Sequence, residues 1–91
     1  MLKQIQRKIL EGNYVPSLHI LNDSLPDDDF SLADALNVIL EGELTDIFDD
    51  DERGQRYEIT GPTLDNYEYA VVCRFTSNGE IVYLITAYAP Y

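Results

Sequence analysis

The chain has 91 residues, 45% of them hydrophobic, and its 17 acidic side chains outnumber the six basic ones to give a net charge of −11. That length suits a single domain over residues 1–91, and that apolar fraction excludes a disordered chain. The charge argues against nucleic acid as a partner, because binding phosphate backbones draws on Lys and Arg to release counterions, and favours a protein partner that presents basic residues.

Met1 to Arg7 carries scattered charges and does not read as a signal peptide, and no apolar run approaches the roughly 20 residues of a membrane helix. A cytoplasmic home is expected, consistent with a lone cysteine, Cys73, which can form no intrachain disulfide. Leu2, Ile5, Ile9 and Leu10 fall on one face of a first helix, which Gly12-Asn13 ends. A second short helix begins at Pro16-Ser17, with Leu18, Leu21 and Leu25 as its apolar stripe, and ends at Pro26 and the Asp27–Asp29 run. The third helix has Ser31 as N-cap, Asp34 in a near capping-box position, and Leu32, Ala35, Leu36, Ile39 and Leu40 on its buried face. Gly42 fits the left-handed position that closes such a helix.

After Gly42 the apolar period changes to that of strands. Residues 44–48 and 56–60 read as short strands joined by the acidic turn from Asp49, and from residue 67 alternation is strong. Asn78-Gly79 predicts a type I′ hairpin in which Ser77 pairs with Glu80, Phe75 with Val82, Cys73 with Leu84, Val71 with Thr86 and Tyr69 with Tyr88. That face is apolar and is expected to pack on the helices, with Cys73 inert in the core. The other face pairs Arg74 with Tyr83, Val72 with Ile85 and Ala70 with Ala87. The fold class is therefore α+β: N-terminal helices, then a four-stranded antiparallel meander covered on one face.

His19, the only histidine, lies at the edge of the Leu18–Leu21–Leu25 stripe. It is either a general acid or base, since imidazole is the side chain that titrates near neutrality, or a structural group hydrogen-bonded at the seam of helix and sheet. Asp49-Asp50-Asp51-Glu52-Arg53-Gly54 fails as a calcium loop, because Arg53 and Thr60 occupy its fifth and twelfth positions. The chain has no zinc spacing and no phosphate-binding glycine loop, so no cofactor or metal is expected. Arg56 and Arg74, with Tyr57 and Tyr83, form the remaining constellation; two guanidiniums and two rings on neighbouring strands suit one phosphate and a stacked base. Tyr88 joins Tyr57 and Tyr83 as a candidate binding residue. The alternative is structural, with Arg74 lying over Tyr83 as a cross-strand pair and Arg56 paired with the acid loop.

Tyr14-Val15-Pro16-Ser17-Leu18-His19, Ile39-Leu40-Glu41-Gly42-Glu43-Leu44, Ile47-Phe48-Asp49-Asp50-Asp51, Arg56-Tyr57, Gly61 and Ile85-Thr86-Ala87-Tyr88 follow one another in an order that resembles the bacterial family called domain of unknown function 4258. That resemblance implies a scaffold similar to small ribonuclease toxins of the RelE type, with His19 in place of the histidine of their early helix. Where relatives open the third strand with a histidine, this chain has Ala70, and Asn22, Asp23 and Ser24 replace arginines in the helix after His19. Three functions follow as expectations. The first is a non-catalytic protein-interaction or regulatory module. The second is an RNA-cleaving toxin using His19 with Arg56 or Arg74, and the third is a small-ligand-binding domain.

Overall fold

The computed structural model describes residues 1–24, 30–49, 52, 54–76 and 78–90. The expected contributions of Leu25, Pro26, the Asp27–Asp29 run, Asp50, Asp51, Arg53 and the Ser77–Glu80 pairing lie outside these residues. No helix among the described residues is long and apolar enough to cross a membrane.

Helix α1 (Leu2–Leu10) buries Ile5 and Ile9 and leaves Leu10 exposed. Ile5 and Ile9 define the face, and Leu10, about 100° further round, falls on its flank. Gly12, at φ +79°, turns the chain. Strand β1 (Tyr14–Pro16) follows, and a helical turn then leads into a π-helical stretch at Ile20–Ser24. Here the expected apolar stripe is wrong. Leu18 is 76% exposed and Leu21 is exposed, while Ile20 is completely buried. A turn this short has one residue to give to the core, and its start decides which.

Helix α2 (Leu32–Glu41) has the capping box read from Ser31 and Asp34. The Asp34 amide donates to Ser31 Oγ at 3.2 Å, the Ser31 amide donates to Asp34 Oδ2 at 2.8 Å, and Asp34 Oδ1 accepts from the Leu64 amide at 2.9 Å. Ala35, Val38 and Ile39 are buried, with Leu32, Leu36 and Leu40 packed beside them. Gln6 of α1 donates to the Ile39 and Leu40 carbonyls at 3.0 and 3.2 Å, satisfying acceptors that the end of a helix leaves open.

Burial opposes charge on Asp34, but hydrogen bonds from the Leu64 and Ser31 amides and the Ser31 hydroxyl outweigh it and hold the carboxyl below its ordinary value. The native state therefore binds this proton less tightly than the unfolded chain. The stabilisation is present above the ordinary value of 3.8 and is lost as pH falls through the lower native value. Asp34→Asn is expected to lower stability by about 1–2 kcal/mol at neutral pH. That deficit narrows as acid protonates the wild-type carboxylate, a trend that urea unfolding at several pH values measures.

Strands β2 (Glu43–Phe48), β3 (Arg56–Pro62), β4 (Glu68–Phe75) and β5 (Val82–Tyr88) form the expected antiparallel meander. The sheet nevertheless has five strands, in the order β1-β5-β4-β3-β2, because β1 adds to β5 in parallel. The sheet is thus mixed, not purely antiparallel. A three-residue strand ending in proline carries no periodic signal, and proline is tolerated there because the strand is an edge.

The hairpin forms, but not with a type I′ turn. Among the described residues of the turn Gly79 alone takes positive φ (+73°), and its amide donates to the Thr76 carbonyl at 2.8 Å. The Asn78 side chain accepts from Thr76 Oγ1 at 2.7 Å and from the Glu80 amide at 3.1 Å, which closes the turn without a left-handed Asn78. Pairing then runs as expected through Phe75–Val82, Arg74–Tyr83 and Cys73–Leu84. A bulge follows, and Val72 pairs with Thr86, Val71 with Ala87 and Ala70 with Tyr88. Ile85 is the extra residue, and beyond it every side chain has changed faces relative to expectation. Ala87 joins the core, while Thr86 and Tyr88 share the other face with Val72 and Ala70.

The helices cover the face carrying Tyr57, Ile59, Val71, Cys73, Val82 and Leu84. Phe30 stacks on Tyr69 at its margin, rings 4.4 Å apart. Burial pushes the Cys73 thiol up to about 12, in keeping with an inert core cysteine. Among the described residues, α1 and α2 add their buried side chains to this one face of the sheet.

Candidate functional site

The site is built on the opposite, open face of the sheet, where alternation along each strand fixes which side chains appear. Phe48 pairs with Arg56 across β2 and β3, and Arg74 pairs with Tyr83 across β4 and β5. Tyr57 pairs with Cys73, so Arg56 and Arg74 are the next residues along and stand side by side. The row therefore reads Phe48, Arg56, Arg74, Tyr83 across four strands. The Arg56 guanidinium lies 5.1 Å from the centre of the Phe48 ring, and that of Arg74 lies 5.0 Å from the centre of the Tyr83 ring. The expected contact of Arg74 with Tyr83 is thus present.

The segment after β1 closes one side of this row. Ser17 Oγ accepts from the Ile20 amide at 3.0 Å and donates to the Ile85 carbonyl at 2.7 Å, while the Ser17 amide donates to the Leu84 carbonyl at 2.8 Å. One serine thus starts the helical turn and fastens it to the bulge in β5. His19 is exposed, and a hydrogen bond of 3.1 Å joins its Nε2 to Thr86 Oγ1. The bulge makes this bond possible, because without the extra residue Thr86 would face the helices.

Ser17, Leu18, His19, Arg56, Arg74, Tyr83 and Ile85 line a groove of about 320 Å³. Among the described residues, no carboxylate is in its lining. Arg74 donates weakly to the Phe75 carbonyl, at 3.4 Å, and forms no ion pair among the described residues. The fold therefore gathers the histidine and both described arginines of the sheet at one place.

Two expected site residues are elsewhere. Tyr57 is 5% exposed and sits on the helix-covered face, edge-on to Phe75, with its hydroxyl donating to Gln55 Oε1 at 2.9 Å. Arg56 points outward, so the next residue must point inward. Burial, aided by the Cys73 and Asp49 side chains, pushes the Tyr57 phenol above its ordinary value. Tyr88 is on the open face but does not line the groove; its hydroxyl donates to the Glu58 carboxylate. Sequence reasoning treated Ser17 only as a helix start and placed Thr86 on the wrong face. The Pro16-Ser17 pair was the available signal for the first; nothing local announces the bulge that places the second. Among the described residues, no group of three His, Cys, Asp or Glu side chains is placed to hold a metal ion.

The family model described as domain of unknown function (DUF4258) matches residues 17–89. The chain belongs to this family. The match begins at Ser17 and covers His19, both groove arginines, Tyr83 and the bulged end of β5, so within this DUF4258 domain the entire groove lies inside the matched region. No curated protein and no solved structure matches the chain.

Proposed function

We propose that this DUF4258 domain is a non-catalytic binding module that works through the open face of its sheet. The groove of His19, Arg56, Arg74 and Tyr83 receives an anionic group of the partner. The observation that carries this reading is a groove lined by His19 and two arginines, with no carboxylate among the described residues that line it, in a chain of net charge −11. Adjacent cations on neighbouring strands repel each other, and an arrangement of that kind is suited to a bound anion. The acidic remainder of the surface favours a partner whose basic residues surround that single anionic group. In this reading the site binds and orients the anion, and the hydrogen bond to Thr86 holds the His19 ring at the groove wall.

A second reading, RNA cleavage of the RelE type, is favoured by one observation: His19 is exposed and lines the same groove as Arg56 and Arg74. Incubating the pure protein with total RNA separates the two. The binding reading expects no cleavage by wild type beyond that of His19→Ala. Cleavage that disappears with His19→Ala would replace it with the ribonuclease reading.

A further inference from the structure

We infer that a second groove, where α1 meets the hairpin turn between β4 and β5, is a site for a small monoanion with an apolar body: a carboxylate carried on a ring. Gln4, Arg7, Lys8, Glu11, Phe75 and Gly79 line this groove, whose volume is about 400 Å³. It lies at the rim of the helix-covered side of the sheet and is independent of the reading of the open face.

Helical spacing builds one wall. Gln6 reaches across to the carbonyls at the end of α2. Gln4, Lys8 and Glu11, at i, i+4 and i+7, form a ridge on the opposite flank of α1, with Arg7 beside it. The hairpin builds the other wall. Phe75 is half-buried: it packs on the core, edge-on to Tyr57, and also lines the groove. Gly79 adds main chain alone, and the Asn78 side chain braces the turn by accepting from Thr76 Oγ1 and the Glu80 amide.

The side chains of Arg7 and Lys8 make no hydrogen bond or ion pair among the described residues. Glu11 follows them at i+4 and i+3, but a base on the N-terminal side of an acid is the weaker order on a helix. Its carboxylate instead accepts from Asn13 Nδ2 at 3.4 Å. The last turn of a helix favours cations by itself, which accounts for the place of Arg7 and Lys8 on α1. The ring set beside them adds a second kind of surface. A ligand that covers Phe75 with a ring of its own removes apolar area from water while its carboxylate meets the planar fork of Arg7. Two cations and one carboxylate give the described lining a net charge of +1, which suits a monoanion, whereas a dianion meets Glu11 at the rim. The volume falls within the roughly 300–1,000 Å³ of small-molecule sites.

The test is titration of the ¹⁵N-labelled full chain at constant ionic strength with phenylacetate, acetate, 2-phenylethanol, phenyl phosphate and N-acetylphenylalanine. Phenylacetate is expected to shift the Lys8, Phe75 and Gly79 amides to saturation, with acetate and 2-phenylethanol each at least about fivefold weaker. Two variants are expected to act in opposite directions. Arg7→Gln removes a cation and weakens phenylacetate about threefold, whereas Glu11→Gln removes the rim carboxylate and strengthens it about twofold. Both side chains are exposed, so the urea midpoints of the variants are expected to stay near that of wild type. Tighter binding of N-acetylphenylalanine than of phenylacetate places the carboxylate at the end of a peptide, the reverse order places it on a free acid, and both support the inference. If acetate or 2-phenylethanol matches phenylacetate, or if neither variant changes its affinity, the pairing of charge and ring is refuted. Tighter binding of phenyl phosphate, a dianion, overturns the monoanion assignment, and the absence of a shift with every probe overturns the site.

Discussion

Gly61→Ala is expected to cost about 3 kcal/mol or more, because the added methyl group meets main chain on every side. A Cβ at Gly61 would stand 2.5 Å from the Val38 carbonyl oxygen and 2.6 Å from the Gly42 Cα. One at Gly42 would stand 2.3 Å from the same oxygen and 2.5 Å from the Thr60 carbonyl oxygen. Every obstacle is main chain, so no side-chain rotation relieves the overlap. Either α2 lifts from β3 or the strand bends away, and both open the core around Val38, Ile39 and Ile59. Gly42 was expected to take a left-handed turn, but its φ is −95° and ψ −169°, an extended conformation open to any residue. Close approach of helix and strand, not backbone freedom, requires glycine at both positions. Gly12→Ala provides the contrast: nothing lies within 4 Å of its Cβ, and only the positive φ opposes the change, at about 1 kcal/mol. Urea unfolding of the two variants measures the difference, and equal losses would refute the crossing.

Ile20→Ala is expected to cost about 3 kcal/mol, and Leu18→Ala no more than about 0.5 kcal/mol. The apolar stripe read from the sequence implies the reverse order. Ile20 is fully buried in the core shared by α1, α2 and the sheet, and Leu18 stands in solvent. The Ile20 amide is also held by Ser17 Oγ, so its side chain and main chain together anchor the segment that presents His19. Loss of the isoleucine side chain should therefore reach the site. The hydrogen bond of His19 to Thr86 is expected to be disturbed in Ile20→Ala, which a shift of the Thr86 amide resonance reads. A larger loss of stability from Leu18→Ala would show that the turn is rotated from the position described.

Helix α2 was legible because its signals are local. The Ser31 cap, the Asp34 partner three residues on and the spacing of Ala35 and Ile39 all lie within a few turns of chain. The first half of the terminal hairpin was legible for the same reason: pairs close to Asn78-Gly79 follow from chain proximity. Fidelity ended at Ile85. The bulge there is fixed by the Ser17 hydroxyl, which arrives from 68 residues away in sequence. No window along the chain contains both groups, so Thr86 and Tyr88 were assigned to the wrong face. The candidate site was partly legible. His19, Arg56, Arg74 and Tyr83 were each singled out by residue type, whereas Tyr57 was included although alternation places it opposite Arg56.

By itself the sequence determined the α+β class, the meander, the buried Cys73 and the capped helix, because periodicity and caps act through neighbours along the chain. The tertiary structure decided the fifth strand, the glycine crossing and the convergence of His19 on the arginine row. Each of these depends on groups that meet only after the chain has folded, where a single hydrogen bond or a missing Cβ selects among arrangements that local pattern leaves equal.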